Sequence, residues 1–178
     1  KREWNKIVDR AMAEDYSWNS SARQYQELYD WLENEPELFY PGDVDHVHSP
    51  ERMGKMSNFI SINGGVQLDL MGQENAESAG SRQLSGIGGQ MDFLEGAYRS
   101  RGGRGYICIN SSRKDKEGNL KSNIVPTIPG GSTISVPRTM VECVATEYGV
   151  AHLHGLSLGE RAAAMAAIAH PDFCLLYT

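Results

Sequence analysis

The sequence predicts a layered α/β domain with a largely parallel sheet, preceded by two helices. Short apolar runs typical of strands, such as 59–63 and 106–109, alternate with segments whose apolar residues recur at helical spacing, such as 91–98. This alternation favours a parallel sheet, because a helix must carry the chain back before the next parallel strand begins. We predict a helical segment at 1–33 and the α/β domain at 34–178.

Composition and charge exclude several classes of function. The chain has 178 residues, 40% hydrophobic and 22% charged, which is typical of a globular domain. A formal net charge of −6 argues against a basic nucleic-acid-binding face. The sequence shows no apolar run of membrane-spanning length and no signal peptide. Three cysteines without metal-ligand spacing indicate a reduced compartment. We expect a cytoplasmic protein with no metal and no nucleic-acid or membrane partner.

The N-terminal segment shows two helical patterns. Apolar residues at helical spacing in 1–15 predict one helix, and a break at 15–18 separates it from a second. The stripe of the second helix consists of Tyr25, Leu28, Tyr29 and Leu32. We interpret its aromatic residues as packing residues and expect no ligand contact from this segment.

Residues 34–56 lack periodicity and contain several prolines, which indicates turns. His46 and His48 lie two positions apart in this loop. Such a pair could ligate a metal, but no third ligand lies near in sequence. We therefore interpret them as loop histidines, one of which could lie at the edge of a site.

The remaining elements are predicted from alternation and turn signals. Strict alternation at 66–70 predicts a half-buried strand, and the apolar run at 106–109 predicts a strand covered on both faces. The polar, glycine-containing stretch 72–85 leads into a glycine loop, and the charged stretch 112–122 predicts an exposed excursion. Further short strands are predicted at 124–125, 134–136 and 140–146.

The last helix is indicated by a capping box at Ser157-Leu158-Gly159-Glu160. Its predicted apolar stripe is Leu158, Ala162, Met165, Ile168 and Ala169. Pro171 ends it.

The central feature is the glycine loop Gly86-Ile87-Gly88-Gly89, followed by a helix from Gln90 whose predicted apolar face carries Met91, Leu94, Ala97 and Tyr98. Such a loop presents free N–H groups and the positive end of the helix dipole, which suits a phosphate, a carboxylate or an oxyanion. A tight turn with close packing explains the glycines equally well. Neither the Walker loop nor the dinucleotide fingerprint is present.

Four motifs in order carry a family resemblance: 72–78 (GQENAES), 85–93 (SGIGGQMDF), 146–151 (TEYGVA) and 169–173 (AHPDF). Together they resemble the C-terminal lobe of the acetyl-CoA hydrolase/CoA-transferase family, which includes butyrate, 4-hydroxybutyrate and succinate:acetate CoA-transferases. The match runs from about Leu28 to Phe173 and implies a CoA-transferase-like fold. Residues 4–29 resemble the closing helices of bacterial glycogen/starch synthases and contain no catalytic motif of that family.

The resemblance implies covalent chemistry with coenzyme A as substrate. An enzyme glutamate attacks an acyl-CoA thioester to give an acyl-glutamyl anhydride and CoA thiolate. The thiolate attacks the anhydride to give glutamyl-CoA and the free donor carboxylate, and the steps then reverse with a second small carboxylate, which accepts CoA. Each tetrahedral intermediate carries an oxyanion, for which the family uses a backbone N–H that corresponds to Gly89, beside Gly88. We further expect that the loop from Gly86 to Gln90 binds CoA weakly, together with Lys114 and Lys116 of the charged excursion.

Two further site residues carry over from the family. Glu147 matches a glutamate near the active site, where it would orient or stabilise groups electrostatically, although a structural ion pair explains it nearly as well. His48 stands where the family usually offers an asparagine to the substrate. Histidine can also donate a hydrogen bond, but the exchange departs from the family pattern.

The family's nucleophilic glutamate lies upstream of the matched region, and none of the glutamates of this chain fits its motif. The sequence therefore predicts half of a CoA-transferase, inactive alone, whose partners are acyl-CoA, small carboxylates and the missing N-terminal lobe. A homodimer is compatible with this. The alternatives are a binding or interaction module that keeps a CoA pocket without turnover and, on the N-terminal helices alone, glycosyl transfer.

Overall fold

The structure is a computed structural model that describes residues 18–39 and 42–174, in two compact units divided after Asp43. The first unit contains helix α1 (Trp18–Asn34) and a 3₁₀ turn at Pro36–Leu38. The predicted second helix is therefore present, whereas the predicted helix at 1–15 lies outside the described residues.

The aromatic residues of α1 do not pack into a core, contrary to the prediction. No residue of α1 is buried, and Trp18 is 90% exposed. Trp31 makes an edge-to-face contact with Phe39 at 4.6 Å between ring centroids. Helical periodicity predicts one apolar face, but it does not predict that a second element covers that face.

The second unit begins at Val44. Its helices are α2 (Val44–Val47), α3 (Pro50–Gly54), α4 (Gln90–Arg99), α5 (Leu158–Ala167) and α6 (Pro171–Cys174). Its strands are β1 (Ile60–Gly64), β2 (Gln67–Asp69), β3 (Glu74–Asn75), β4 (Ser78–Ala79), β5 (Arg82–Gln83), β6 (Arg104–Cys108), β7 (Ser112–Lys114), β8 (Leu120–Ser122), β9 (Ile124–Val125), β10 (Cys143–Thr146) and β11 (Gly149–His152).

The main sheet has the order β1-β6-β10-β11. The first three strands are parallel, and β11 pairs antiparallel with β10 through a tight turn. A mixed α/β fold with a mostly parallel sheet was predicted and is present. β11 was not predicted, because its four residues follow β10 so closely that they do not form a separate apolar run in the sequence.

Smaller sheets surround the main one: β3-β2-β9, and the hairpins β4-β5 and β7-β8. The prediction of a half-buried strand at 66–70 is wrong, since all three residues of β2 are buried. Asp69 is buried because its carboxylate accepts hydrogen bonds from the backbone of Met71 and from the backbone and side chain of Gln73, which closes the turn into β3. The predicted strand at 134–136 is reduced to one bridge between Val136 and Glu74.

Helix α4 packs on β1 and β6, on one face of the main sheet. The core there consists of Leu68, Leu94, Ile107, Ile109, Ile124, Val136, Val141, Val144, Ala151, Leu153, Met165, Ile168 and Ala169. The opposite face is open in part, since Ile62 is 71% exposed and Cys108 is exposed, whereas Cys143, the register partner of Tyr106, is buried. The prediction that 106–109 is covered on both faces is therefore wrong. Tyr98, predicted on the apolar face of α4, is 63% exposed.

Two helix starts follow from capping. Ser157 and Glu160 form the predicted capping box of α5, although Leu158 of the predicted stripe is half exposed. In the predicted loop 34–56, the short helix α3 begins at Pro50 and is capped by Oγ of Ser49.

Among the described residues, no helix combines the length and apolarity needed to cross a membrane.

Candidate functional site

The carboxyl ends of the three parallel strands meet at one edge of the main sheet. β1 ends at Gly64, β6 at Cys108 and β10 at Thr146. Ligands of α/β sheets bind outside this edge, because the loops that follow neighbouring strands converge there. A cleft of about 460 Å³ lies at this edge, and its lining consists of Gly65, Cys108, Ile109, Asn110, Ala145 and Thr146.

Topology brings the glycine loop to the same edge. Helix α4 packs on β1 and β6, and only four residues connect its end at Arg99 to the start of β6. The helix and the strand have similar lengths, about 15 Å each, so α4 must begin where β6 ends. Gly89 is the N-cap residue of α4 and offers no side chain to the free N–H groups of the first turn.

Two glycines of this loop are required for different reasons. Gly88 has φ of +60°, which disfavours any residue with a Cβ. Gly89 has an ordinary φ, but a Cβ there would lie 2.5 Å from Nδ1 of His48 and 2.9 Å from the ring of Phe93. The ring of His48 therefore lies directly against Gly89.

His48 has an unusual environment. Its ring packs on Phe93, with 4.9 Å between centroids, at the turn where the backbone N–H of His48 donates to the carbonyl of Val44. Nδ1 is buried and, among the described residues, has no hydrogen-bond partner. A buried polar atom without a partner is costly, so a hydrogen-bonding group that reaches this nitrogen is stabilised there.

Glu74 lies behind the cleft lining, and sequence analysis did not single it out. It is fully buried, and Oε2 accepts a 2.7 Å hydrogen bond from Nε2 of Gln90 at the start of α4. Oε1 has no partner among the described residues and lies 2.5 Å from where a Cβ of Gly65 would be. Burial raises the pKa of Glu74 to about 7, against the opposing effect of Gln90. A carboxyl group that titrates near neutrality thus connects the cleft lining to α4.

Glu147 follows β10 at the same edge and holds the loop after β6. Oε1 accepts from Oγ of Ser111 at 2.6 Å, and Oε2 accepts from its backbone N–H at 2.9 Å. Burial raises the pKa of Glu147, but the two hydrogen bonds from Ser111, with a smaller contribution from His170, outweigh burial and hold the pKa below its usual value. Glu147 is thus an ionised residue that positions the Ser111 turn.

Lys114 and Lys116 are exposed on the β7-β8 hairpin, which begins directly after Ser111. The predicted excursion is therefore an ordered hairpin with a glycine turn, Gly118 having φ of +85°. The structure thus brings together His48 and Gly89, and separately Glu147 and the base of the lysine hairpin. The atoms nearest a Cβ at Gly89 belong to His48 and Phe93, whereas Glu147 bonds to Ser111.

A second surface depression lies away from this site. A second depression of about 380 Å³ lies where the parallel strands begin, and there Arg104 pairs with Glu142 at 3.0 Å. Among the residues that the structure describes, no three His, Cys, Asp or Glu side chains are grouped to hold a metal ion.

Fold and site define an α/β domain that presents a cleft and a helix N-terminus at the carboxyl edge of a parallel sheet. The chain belongs to the family of acetyl-CoA hydrolase/transferase C-terminal domains, whose sequence profile matches residues 25–175. This confirms the resemblance drawn from the four motifs.

Relatives and solved structures agree with this family. The chain is 45% identical over 148 residues to the butyryl-CoA:acetate CoA-transferase of Anaerostipes caccae, which covers 83% of the chain and 33% of the relative. It is also 45% identical over 148 residues to the 4-hydroxybutyrate coenzyme A transferase of Clostridium kluyveri, covering 83% of the chain and 34% of that enzyme. The structure of RipA from Yersinia pestis superposes with a TM-score of 0.67 at 40% identity, covering 75% of this chain and 29% of RipA.

The chain spans about a third of the length of the curated relatives it matches. A second, short similarity is to the glycogen synthase of Lachnospira eligens, 75% identical over 32 residues, which are 18% of the chain and 7% of the synthase. The resemblance to glycogen synthases is thereby confirmed over a short segment.

Proposed function

We propose that the chain is the C-terminal part of an acyl-CoA:carboxylate CoA-transferase or acetyl-CoA hydrolase, and that it supplies CoA-binding and oxyanion-stabilising backbone. The observation that carries the proposal is the position of Gly88 and Gly89. Gly89 is the N-cap residue of α4 and Gly88 precedes it, at the carboxyl edge of the parallel sheet, in a chain whose relatives are CoA-transferases.

The proposed chemistry assigns backbone groups to charge stabilisation. The N–H groups at Gly89 and Gln90 face the position where a thioester or anhydride oxygen becomes an oxyanion, and fixed donors stabilise that charge without reorganisation. Lys114 and Lys116 attract the phosphates of CoA. His48 offers Nδ1 to a substrate group, and Glu147 orients the Ser111 turn beside the cleft.

The nucleophilic glutamate is supplied by a part of the relatives that this chain does not match. Covalent acyl transfer requires that nucleophile, so the chain alone binds CoA and does not turn it over. Acyl-CoA and small carboxylates are the proposed substrates, with no metal. We also propose a cytoplasmic location, which suits the free thiols of Cys108 and Cys143. The proposed assembly is a homodimer.

Calorimetric titration with CoA and acetyl-CoA tests binding. Gly89→Ala should weaken binding by about tenfold or more, because its Cβ displaces His48 and disturbs the helix N-terminus. Gly159→Ala is the matched control, since a Cβ there meets no atom within 4 Å. Equal affinity of both variants, or no CoA binding by the wild-type chain, would contradict the proposal.

Turnover is tested by incubating the chain with labelled acetyl-CoA and a carboxylate, followed by borohydride or hydroxylamine trapping. We expect no acyl exchange. Label on a glutamate of this chain would show that the nucleophile lies within it. Binding without turnover, even after the missing part of a relative is supplied, would instead favour a non-catalytic CoA-binding module.

A further inference from the structure

A buried carboxyl group lies behind the helix N-terminus that carries the glycine loop. Glu74 is fully buried, and Gln90, the first residue of α4, is buried as well. Nε2 of Gln90 donates to Oε2 of Glu74 at 2.7 Å. The backbone of Glu74 is also fixed, because its N–H donates to the carbonyl of Val136 and its carbonyl accepts from the N–H of Ser135. The carboxyl group therefore lies one glutamine side chain away from the start of α4.

The second oxygen of this carboxyl group lacks a donor. Oε1 of Glu74 has no hydrogen-bond partner among the described residues. The point where a Cβ of Gly65 would lie is 2.5 Å from Oε1 and 3.1 Å from Cγ2 of Ile109, so a glycine and an aliphatic side chain cover this oxygen. A charged oxygen without a donor is more costly there than a neutral hydroxyl. When the group is protonated, the proton resides on Oε1, because Oε2 accepts from Gln90.

Burial, and not a neighbouring charge, explains why the neutral form is favoured. The titratable groups on the surrounding elements are Asp69 on β2, Glu77 after β3, Asp92 on α4, Cys108 on β6 and His48 beside Gly89. Asp69 accepts from the backbone of its own turn, and Glu77 accepts from Ser135. Burial raises the pKa of Glu74 to about 7 and Gln90 opposes the rise, while none of these charged groups is among the causes.

An ionised Glu74 competes with an anionic ligand for the same helix end. The free N–H groups of the first turn and the helix dipole stabilise negative charge near the start of α4. A carboxylate behind this turn and an anion in front of it repel each other. At a separation of about 8 Å in a partly buried site, this repulsion changes affinity by about tenfold.

We propose that the N-terminus of α4 binds an anion most tightly when Glu74 is protonated, and that the bound anion draws a proton from solvent onto Oε1 of Glu74. The inference rests on the proposed function, in which acyl-CoA supplies the anion. Glu74 is a positioning residue that acts through Gln90 and does not touch the ligand. The only exchange is one proton from solvent to Oε1, and no covalent bond of the ligand changes. Affinity therefore declines as pH rises through the pKa of Glu74.

Calorimetric titration with acetyl-CoA between pH 6 and 8.5 provides the first test. Wild-type affinity should fall by about fivefold or more relative to Glu74→Gln, whose side chain is always neutral. Proton uptake on binding, measured in buffers of different ionisation heat, should be larger in wild type by the contribution of Glu74. The ligand phosphates and His48 titrate in both proteins, so their contributions cancel in this comparison. Glu95→Gln is the matched control and should behave as wild type, since Glu95 lies further along α4 and pairs with Arg99.

The chain without ligand provides a second test. The side-chain amide resonance of Gln90 should shift with a midpoint near pH 7, and the backbone amides of Gly88 and Gly89 should show a component with the same midpoint. Both effects should be lost in Glu74→Gln. The Gln90 resonance is read in wild type, so the test holds even if Glu74→Gln does not fold. A Gln90 resonance that stays constant between pH 5.5 and 8.5 would overturn the inference.

Pyrophosphate, an anion without an acyl group, separates this inference from the proposed function. Pyrophosphate binding whose pH dependence is lost in Glu74→Gln, without binding of acetyl-CoA, supports the inference and counts against the CoA-transferase function. Acetyl-CoA binding that depends on Gly89, with the same pH profile in wild type and Glu74→Gln, supports the function and overturns the inference. Binding of neither ligand would overturn both.

Discussion

Oε2 of Glu74 accepts a hydrogen bond of 2.7 Å from Nε2 of Gln90, the first residue of helix α4. The helix that carries the glycine loop is thereby connected to a buried carboxyl group in the adjoining sheet. Because burial raises the pKa of Glu74 to about 7, the charge of this carboxyl group changes at physiological pH.

The first prediction concerns Glu74. Its folded pKa of about 7 exceeds its usual value of 4.5, so between these values the folded state binds more protons than the unfolded state. The contribution of Glu74 to stability is complete below pH 4.5 and is lost as pH rises through 7, a change of roughly 3 kcal/mol. Glu74→Gln should remove this decline in urea denaturation between pH 5 and 8. Glu117→Gln, at an exposed turn, should keep it. A decline that persists in Glu74→Gln would show that another group causes it.

The second prediction concerns Glu147. The pKa of Glu147 is lowered in the folded state, so its contribution to stability is present above the usual carboxyl pKa. That contribution is lost as pH falls through the lowered pKa, so the pH dependence is opposite in sign to that of Glu74. Glu147→Gln removes the charge and replaces one of the two acceptor oxygens by an NH2 donor, so the two hydrogen bonds from Ser111 can no longer be made to separate oxygens. The Ser111 amide should then exchange its hydrogen at least several-fold faster. Unchanged exchange in Glu147→Gln would refute the positioning role.

The third prediction concerns cysteine reactivity. Cys108 is exposed at the cleft, whereas Cys143 is buried. Burial raises the pKa of Cys143 to about 11, with Glu142 contributing, so at pH 8 only about one molecule in a thousand carries that thiolate. Iodoacetamide should therefore modify Cys108 before Cys143, as read by peptide mass spectrometry. CoA should slow that modification if the cleft is its site, and equal rates with and without CoA would place the ligand elsewhere.

The fourth prediction concerns Arg161, which is buried. Its guanidinium donates to the carbonyls of Met71, Leu153 and Arg138 at 2.7 to 2.9 Å. Arg161→Met leaves these acceptors without partners and should reduce the free energy of unfolding by about 3 kcal/mol or more. Arg82→Met, on an exposed strand, is the matched control and should change it by less than about 0.5 kcal/mol. Equal effects in chemical denaturation would show that the three hydrogen bonds contribute little.

Much of the second unit was predictable because its signals are local. The capping box at Ser157 fixes the start of α5, since the reciprocal hydrogen bonds involve residues three positions apart. The glycines before Gln90 predicted a helix N-terminus there, and α4 begins at that residue. The four ordered motifs predicted the family, which the sequence profile confirms.

Other properties depend on residues distant in sequence. The alternation at 66–70 predicted one solvent-facing side, yet Asp69 is buried because Gln73 and the following turn fold back onto its carboxylate. Glu74 could not be distinguished from a surface glutamate, since its burial arises from packing beside Gly65 and Gln90. The roles of Gly89, His48, Glu147 and the lysines remain predictions.

The sequence by itself determined the helices that begin at Gln90 and Leu158, the apolar strand runs and the family, because propensity, capping and motif order are properties of neighbouring residues. Only the tertiary structure decided that His48 covers Gly89, that Glu147 holds Ser111, and that Ile62 faces solvent. The physical reason is that burial and pairing depend on which distant elements pack together, and a single stretch of sequence does not contain that information.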